Sequence, residues 1–426
     1  MPDTGLVAPG AEQARLIRRN VLTCNTNGVV AALAANMVNP FLGLFALRLG
    51  ASNAQIGLLS ALPAAFSLMC AIPGGRLLDR AAHKQRLTFV LVVAARGFFV
   101  VYALAPLFRG PLGPWFLVAA FGVTNLPGSL ANVAFQSLLA EVLPARGRAT
   151  ALAQRARLVS LAGILPLLVT GRLLDRLAFP IGYQLVFCGA FLVGLVEAWL
   201  ILGLVELDGQ GAPGAQAAGA VRRGATVAEV LGHREFAGYT FAAFILHLGW
   251  SMGGPLFTRY RVSVMGANAS WLSLYAVVES LAAMSAAVLW ARLGERRGYR
   301  RVLWWSAAAV AGNVWTLALI RALPLGVITS MWSGIFNTGT NLMMFNTLLE
   351  IAPPDRRATY VAYYTSAANL AALFGPMIAV MIMERLGIRE ALFVAGCIRV
   401  AGGLLFRHGL LALPARQARS VVRAAG

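Results

Sequence analysis

Long apolar stretches separated by short polar segments run along the whole chain. An apolar run of about twenty residues is long enough to cross a hydrocarbon core of about 30 Å as a helix. The pattern therefore predicts an all-α integral membrane protein with about twelve membrane-spanning helices and no separate soluble domain. We number the predicted spans 1 to 12, and they cover residues 22–48, 54–75, 88–108, 115–142, 158–175, 184–205, 237–263, 271–291, 302–320, 325–351, 360–383 and 391–412.

The composition agrees with a protein whose main solvent is lipid. Of the 426 residues, 59% are hydrophobic and 12% are charged, whereas soluble domains are about one-quarter charged. The formal net charge of +20 raises the question of nucleic-acid binding. However, the basic residues lie in short loops and form no contiguous surface with stacking aromatic side chains, so we expect no nucleic-acid partner.

The distribution of arginine predicts the orientation in the membrane. Arginines crowd into the segments before span 1, after span 12 and between spans 2 and 3, 4 and 5, 6 and 7, 8 and 9, and 10 and 11. This count assigns Arg155 to the cytoplasmic side and Arg261 to the opposite side. Because cytoplasmic loops are the basic ones, both termini are predicted to be cytoplasmic, in the plasma (inner) membrane. The predicted organisation is an N-terminal segment, a six-helix bundle, a cytoplasmic linker, a second six-helix bundle and a tail, at residues 1–21, 22–205, 206–236, 237–412 and 413–426.

The second half of the chain repeats the first. At a shift of about 216 residues the loop between spans 2 and 3 coincides with the loop between spans 8 and 9, and at about 209 the end of span 4 coincides with the end of span 10. The coinciding pairs are Leu77 with Leu293, Asp79 with Glu295, Arg80 with Arg296, Glu141 with Glu350 and Arg148 with Arg357. Parallel repeats of this kind are one architecture of secondary transporters, with the binding site at the midplane between the halves.

The loop between spans 2 and 3 resembles the signature of the major facilitator superfamily. The matching residues are Gly75, Leu77, Asp79, Arg80, Lys84 and Arg86, with a weaker second copy at Leu293, Glu295, Arg296, Gly298, Arg300 and Arg301. The resemblance covers nearly the whole chain and implies two six-helix bundles related by a pseudo-twofold axis. Ala82 stands where the family usually has Gly, span 4 lacks the Arg-x-x-x-Gly pattern tied to proton coupling, and span 5 has only a poor antiporter signature. The direction of transport therefore stays open.

This motif predicts a cytoplasmic gate. A carboxylate at the end of one helix, such as Asp79, can accept hydrogen bonds from the free N–H groups that open a neighbouring helix. Arg80 can pair with a carboxylate such as Glu141 at a nearby helix end. The resemblance implies that the motif holds the cytoplasmic side closed when the cavity faces outward, whereas the alternative is that charges such as Lys84 only set the topology. The predicted gate residues are Gly75, Asp79, Arg80, Glu141, Arg148, Glu295, Arg296 and Glu350.

Polar residues follow one helix face in several spans. In span 4 they recur at i, i+4, i+7 and i+11 from Asn125, which places them in a single stripe. Polar side chains inside a span face the bundle interior, a water-filled cavity or one another. In the resembling family, helices 1, 4, 7 and 10 line the central cavity, and these spans carry the stripes here; the alternative is hydrogen bonding between helices. The predicted substrate-binding residues are Asn36, Asn125, Ser129, Asn132, Gln136, His247, Trp250, Ser251, Asn337 and Asn341.

Five ionisable residues lie deep within predicted spans, where a charge is costly. Glu279, His247 and Glu197 are predicted proton-coupling residues, because a poorly hydrated carboxylate resists ionisation and histidine titrates near neutrality. We expect few charges near Glu279, and structural pairing is the alternative role for all three. Arg96 and Arg399 are predicted to form fixed ion pairs or to snorkel toward the interface.

Together these features predict secondary transport of a small solute by alternating access, coupled to protons. The sequence has no phosphate-binding loop, no His–Glu metal pair on one helix and no nucleophile with an assignable base, so we expect no enzyme, cofactor or metal. The expected partners are a small-molecule substrate, the lipid bilayer and protons as the coupling ion, and the expected state is a monomer. Sugars, amino acids, metabolites and cationic drugs are all compatible substrates. The alternative is a non-transporting membrane sensor or scaffold on the same helices, which needs no polar cavity.

Overall fold

The computed structural model describes residues 11–79, 83–144, 148–205, 229, 232–353 and 356–411, with the backbone alone for 11–14, 71–79, 140, 149, 358 and 408–411. Within these ranges most residues are helical and none forms a β-strand. The helices follow the order of the twelve predicted spans. The prediction of an all-helical fold is therefore confirmed.

Seven helices form the first six spans, because span 5 is divided in two. They are α1 (Ala11–Arg48), α2 (Asn53–Asp79), α3 (Lys84–Ala103), α4 (Leu112–Val142), α5 (Arg148–Ala162), α6 (Ile164–Arg176) and α7 (Ile181–Leu202). Helices suit an apolar solvent because each satisfies its own backbone hydrogen-bonding groups.

Eight helices form the last six spans, because spans 7 and 9 are divided in two. They are α8 (Arg234–Ser251), α9 (Gly253–Arg259), α10 (Ala269–Arg297), α11 (Tyr299–Ala309), α12 (Ala311–Leu319), α13 (Gly326–Ile351), α14 (Arg357–Leu386) and α15 (Ile388–Leu411). Helix α9 continues into a π-helical turn at Tyr260–Val264. Single π turns within helices are rare and are frequent at functional sites.

Helices α1 and α5 begin well before the predicted spans. Helix α1 starts at Ala11 and α5 at Arg148, whereas the apolar runs start at residues 22 and 158. A hydropathy pattern detects only the lipid-embedded part of a helix, but Ala, Leu, Gln and Arg also favour helix in its polar first turns. As a result, Arg155 lies two turns inside α5 and not in a cytoplasmic loop.

The described residues form two compact units, each defined by its own packing. Unit 1 falls within Met1–Gly50 and Met69–Arg222, and unit 2 within Ala51–Leu68 and Arg223–Gly426. The first part of α2 therefore packs with the second unit, where a side chain at Gly57 would lie 2.7 Å from Val380 Cγ2. The predicted linker at 206–236 lies outside the described residues apart from Glu229 and 232–236, so the predicted domain boundaries stay a prediction.

Nine helices in the described part of the chain are long and apolar enough to cross a membrane by length and composition alone. Helix α13 is not among them, because its Ser, Thr and Asn residues lower its mean hydropathy.

Each unit also has a buried aromatic core. In unit 1 the ring of Phe45 in α1 packs on Tyr183 and Phe187 in α7, with centroids 4.8 and 5.2 Å apart.

Candidate functional site

The residues of the predicted gate are only partly described. Gly75 and Asp79 lie in the last turns of α2, but their side chains and the whole of Arg80 lie outside the described residues. Glu141, at the end of α4, forms an ion pair with Lys84, the first residue of α3. Lys84 is therefore more than a topology signal, because it joins α3 to α4 within unit 1.

The same ion pair occurs at the repeated position of unit 2. Arg300 Nε at the start of α11 lies 3.5 Å from Glu350 Oε2 at the end of α13. The shifts of about 216 and 209 residues relate Arg300 to Lys84 and Glu350 to Glu141. Glu235 in α8 also pairs with Arg300. The repeat thus preserves a cation–carboxylate contact that the motif alone did not reveal.

The other predicted gate residues make separate contacts. Arg148 donates from Nε and Nη2 to the carbonyl of Leu143, at 3.2 and 2.8 Å. Glu295 and Arg296 are exposed near the end of α10. The gate assignment of this set stays a prediction.

The polar stripe of α4 bonds mostly within its own helix, and so does Asn36 in α1. The bonds are Asn36 Nδ2 to Ala32 O at 2.9 Å, Asn125 Nδ2 to Phe121 O at 2.6 Å and Ser129 Oγ to Leu126 O at 3.2 Å. Gln136 Nε2 lies 3.4 Å from Asn132 Oδ1, one turn away. Within the described ranges these donors bond inside their own helices, so no observed hydrogen bond between helices accounts for them.

Unit 1 contains a polar cavity of about 260 Å³. Its wall includes Arg96 of α3 and Glu197 of α7, which form a two-point ion pair: Nε to Oε2 is 2.8 Å and Nη2 to Oε1 is 3.1 Å. Asn27 Nδ2 of α1 donates to the backbone carbonyl of Glu197 at 2.9 Å. Asn132 is also in the wall. The structure thus brings predicted residues from two different sets, Asn132 and Glu197, to one site.

Arg155 is a cavity residue that the sequence analysis missed. It lines the same cavity, where its Nε donates to the carbonyl of Cys24 at 3.3 Å and its guanidinium lies 5.1 Å from the centre of the Phe135 ring. A side chain at Gly28 would lie 2.8 Å from Arg155 Nε, so this glycine makes room for the arginine. One sequence signal could have identified Arg155. It lies just before the apolar run of span 5, in a stretch that continues the same helix.

A second cluster, in unit 2, surrounds His247 of α8. His247 Nε2 lies 3.1 Å from the hydroxyl of Tyr364 in α14. Its ring stacks on Trp250, with centroids 5.8 Å apart. Ser251 Oγ donates back to the His247 carbonyl at 2.7 Å. Three predicted residues therefore lie together, and Tyr364 is an additional partner that the sequence did not identify.

Glu279 of α10 is the terminal acceptor of a hydrogen-bond chain that runs along α13. Ser333 Oγ donates to Glu279 Oε1 at 2.7 Å, and Asn337 Nδ2 donates to Ser333 Oγ at 2.8 Å. Asn337 Oδ1 is buried and has no hydrogen-bond partner among the described residues. Asn341 Nδ2, one turn farther along, donates to the carbonyl of Asn337 at 3.1 Å. The polar stripe of α13 thus meets the acid of α10.

Arg261, in the π turn after α9, is a charge near Glu279 that the sequence pattern did not place there. The Glu279 carboxylate acts electrostatically on the Arg261 guanidinium, although no ion pair within 4.0 Å joins them among the described residues. Arg261 Nη2 donates to Ser330 Oγ at 3.1 Å, and the guanidinium lies 4.9 Å from the centre of the Tyr275 ring. The topology count assigns Arg261 to the side opposite the cytoplasm, as a basic residue near the end of span 7.

Arg399 of α15 has neither of the two roles predicted for it. It is fully buried, and no carboxylate pairs with it among the described residues. Its guanidinium instead donates to Gly249 O at 2.9 Å, Trp250 O at 3.3 Å, Val310 O at 3.5 Å and Asn313 Oδ1 at 2.7 Å. These acceptors lie where α8 gives way to α9 and α11 to α12. Backbone carbonyls that the helix breaks leave without a helical partner lie at the negative ends of helix dipoles. They therefore stabilise the positive charge of Arg399.

The helical fold and these polar clusters inside membrane-spanning helices define an integral multi-pass membrane transporter. A family model of the Major Facilitator Superfamily matches residues 26–278 and 239–424. The protein belongs to the Major Facilitator Superfamily, as the signature in the loop after span 2 predicted.

Solved structures of known transporters share this fold. The nucleoside transporter NupG matches with a TM-score of 0.72 and 10% identity over 92% of this chain and 98% of that chain. A bacterial homolog of the human lysosomal transporter Spinster, inward-facing and unoccupied, gives 0.71 and 15% over 96% and 100%. A D-xylose-proton symporter gives 0.69 and 15% over 92% and 97%. No curated protein matches the sequence.

Proposed function

We propose that this protein moves a small solute across the plasma (inner) membrane by alternating access, and that protons drive the transport through Glu279. The observation that carries the proposal is the chain Glu279–Ser333–Asn337, in which a carboxylate inside a span contacts the polar stripe of α13. Ionisable groups at such depth are expensive and are kept where they serve transport.

The chemistry of this chain suits a proton carrier. An ionised Glu279 accepts the hydrogen bond from the Ser333 hydroxyl, whereas a protonated carboxyl can also donate. The hydroxyl can rotate to suit either form, so the same contact accommodates both protonation states. The positive charge of Arg261 nearby offsets the negative charge of the ionised Glu279 carboxylate. When Glu279 is protonated, the charge of Arg261 is no longer offset. Proton binding therefore changes the local charge by one unit at the polar stripe.

His247 and Glu197 are the remaining candidates for coupling. His247 contacts the neutral hydroxyl of Tyr364, so its protonation would not break an ion pair. Glu197 is held by Arg96 at two points, so a proton on its carboxylate would break a charge-assisted contact between α3 and α7. Glu279 contacts the polar stripe of α13 through Ser333 and lies near the Arg261 cation, so a proton there changes the charge at the predicted binding residues. We therefore assign the coupling role to Glu279 first.

The names of the solved relatives do not choose a substrate. One is a nucleoside transporter and another is a D-xylose-proton symporter. Both are far below the sequence identity at which the substrate of one protein can be inferred from that of another. The xylose symporter nevertheless supports proton-coupled transport as a mode available to this fold. The predicted binding residues of α4, α8 and α13 supply mainly amide and hydroxyl groups, which suit a polar solute.

The test compares Glu279→Gln with wild type in proteoliposomes, after a thermal-shift screen has found a solute that stabilises the protein. Gln imitates the protonated carboxyl, so the variant should still exchange the solute between its two sides but should not accumulate it under a pH gradient. Glu384→Gln, an exposed acid in α14, serves as the matched control. Accumulation by Glu279→Gln equal to wild type would move the coupling role to His247 or Glu197. Absence of exchange with every stabilising solute would favour the non-transporting sensor.

A further inference from the structure

We infer that the cavity in unit 1 binds a small organic carboxylate, with the guanidinium of Arg155 as the anchor for its charge. The inference rests on the proposed transport function and names a substrate class for it. No residue of the superfamily signature whose side chain the structure describes lines this cavity, which is formed by α1, α3, α4, α5 and α7.

The charges in the cavity wall do not cancel. Arg96 and Glu197 neutralise each other, because both oxygens of the carboxylate contact the guanidinium. Arg155 is left with one carbonyl contact at 3.3 Å and the face of Phe135. No acidic side chain lies within 4.0 Å of Arg155 in the part of the chain that the structure describes. The wall therefore carries one excess positive charge.

An uncompensated cation that is partly withdrawn from solvent in a cavity wall is costly, and a bound anion would reduce that cost. The planar guanidinium presents paired N–H donors that match the two oxygens of a carboxylate. A monoanion balances the wall, whereas a dianion would leave an excess negative charge and a cation would add to the existing positive charge. The charge balance therefore selects a carboxylate over the cationic drugs that the sequence left open.

The rest of the wall limits the size and the body of the ligand. A volume of about 260 Å³ corresponds to roughly nine water molecules at about 30 Å³ each, so a solute of a similar number of heavy atoms fits. Phe135 offers an aromatic face, and Asn132 offers an amide. The geometry thus points to a carboxylate on a small, partly apolar body.

Two glycines show that the cavity is shaped around its arginines. A side chain at Gly28 would lie 2.8 Å from Arg155 Nε, and one at Gly194 would lie 2.8 Å from Arg96 Cγ. Both arginines therefore lie directly against helix backbone. Packing of this kind fixes the direction of a long side chain and reduces the entropy that binding would cost.

The test measures binding of benzoate and of the neutral isostere benzamide to the purified full chain in a neutral detergent by calorimetry. Benzoate should bind and benzamide should bind at least about tenfold more weakly, because only the carboxylate makes a charge-assisted bond. Arg155→Gln should weaken benzoate binding at least about tenfold, while Arg157→Gln, an exposed arginine on the same helix, should leave it unchanged. Arg155→Lys, which keeps the charge, should recover part of the affinity and serves if the Gln variant does not fold.

Equal binding of benzoate and benzamide, or benzoate binding that is insensitive to both Arg155 variants, would overturn the inference. Displacement of benzoate by phosphatidylglycerol but not by other small carboxylates would assign the site to a lipid headgroup and would also overturn it. The Glu279→Gln variant separates this inference from the proposed function. It should bind benzoate like wild type even though it loses accumulation, and failure of one result leaves the other standing.

Discussion

Arg96 and Glu197 form a two-point ion pair between α3 and α7, with nitrogen–oxygen distances of 2.8 and 3.1 Å. Both are largely withdrawn from solvent, with side chains 21% and 8% exposed. They lie 101 residues apart in the chain, and the sequence predicts proton coupling for Glu197 but a fixed ion pair or snorkelling for Arg96. The pair fixes the charge balance of the unit 1 cavity, so it also determines which further charge the cavity can accept.

Breaking this pair from one side should be more costly than replacing it as a whole. Arg96→Gln or Glu197→Gln leaves one buried charge uncompensated, which should lower the free energy of unfolding by about 3–5 kcal/mol. The double variant Arg96→Gln/Glu197→Gln should lose less than the sum of the two single variants. Unfolding by denaturant in detergent measures all three, with Arg157→Gln as the control. Additive losses would show that the two side chains act independently.

Gly334 in α13 should not tolerate a side chain. A Cβ there would lie 2.2 Å from the carbonyl oxygen of Glu279, so Gly334→Ala must push α10 and α13 apart. We expect a loss of about 1–3 kcal/mol in the free energy of unfolding and weaker proton coupling. Gly238→Ala in α8 is the control, because a Cβ there meets nothing within 4 Å and alanine favours helix by about 1 kcal/mol. Similar stabilities for the two variants would contradict the close helix contact.

Arg399 should stabilise the two helix breaks that surround it. Arg399→Met leaves the carbonyls at both breaks without their donor, and an unsatisfied buried group costs about 1–3 kcal/mol. The unfolding temperature in detergent should therefore fall clearly, and Arg399→Lys should recover only part of it because Lys has fewer donors. Arg407→Met, an exposed arginine on the same helix, should have little effect. Equal unfolding temperatures for Arg399→Met and wild type would rule out this role.

Asp79 should act as the latch of the cytoplasmic gate. Asp79→Asn removes the charge and keeps the shape, so the fold should persist while the outward-facing state loses population. Cysteine pairs at the cytoplasmic helix ends should then cross-link less, and transport should change. Asp175→Asn, at the end of α6, is a control on the opposite side of the predicted topology. Cross-linking and transport both at wild-type levels would remove the latch interpretation.

Both termini and the linker should face the cytoplasm. The excess of arginine on one side of the predicted spans is large, and positive loops remain inside. A reporter fused after Gly426 and a tag inserted within residues 206–236 should therefore both give a cytoplasmic signal. An extracytoplasmic signal from the linker alone would require an odd number of spans before it.

The apolar runs along the chain determined most of the fold. Each span needs about twenty apolar residues to cross the lipid, and this requirement is local, so it can be read along the chain. The repeated motif around Asp79 and Glu295 identified the superfamily because it, too, is a local pattern that can be read along the chain. Helix starts were less predictable, since the polar first turns of α1 and α5 remain helical without an apolar pattern.

Only the tertiary structure decided which polar groups meet. Asn132, Arg155 and Glu197 lie in three separate helices, and no periodicity relates a position in one helix to a position in another. Arg155 and Arg261 were misplaced because the sequence treats an arginine near a span end as a loop charge. A helix that extends past its apolar run, or that widens into a π turn, instead carries such a charge into the bundle. The sequence alone determined which segments lie in lipid and which lie in water. Helix packing brings together positions that are distant in the sequence, and it therefore decided the chemistry of the cavity.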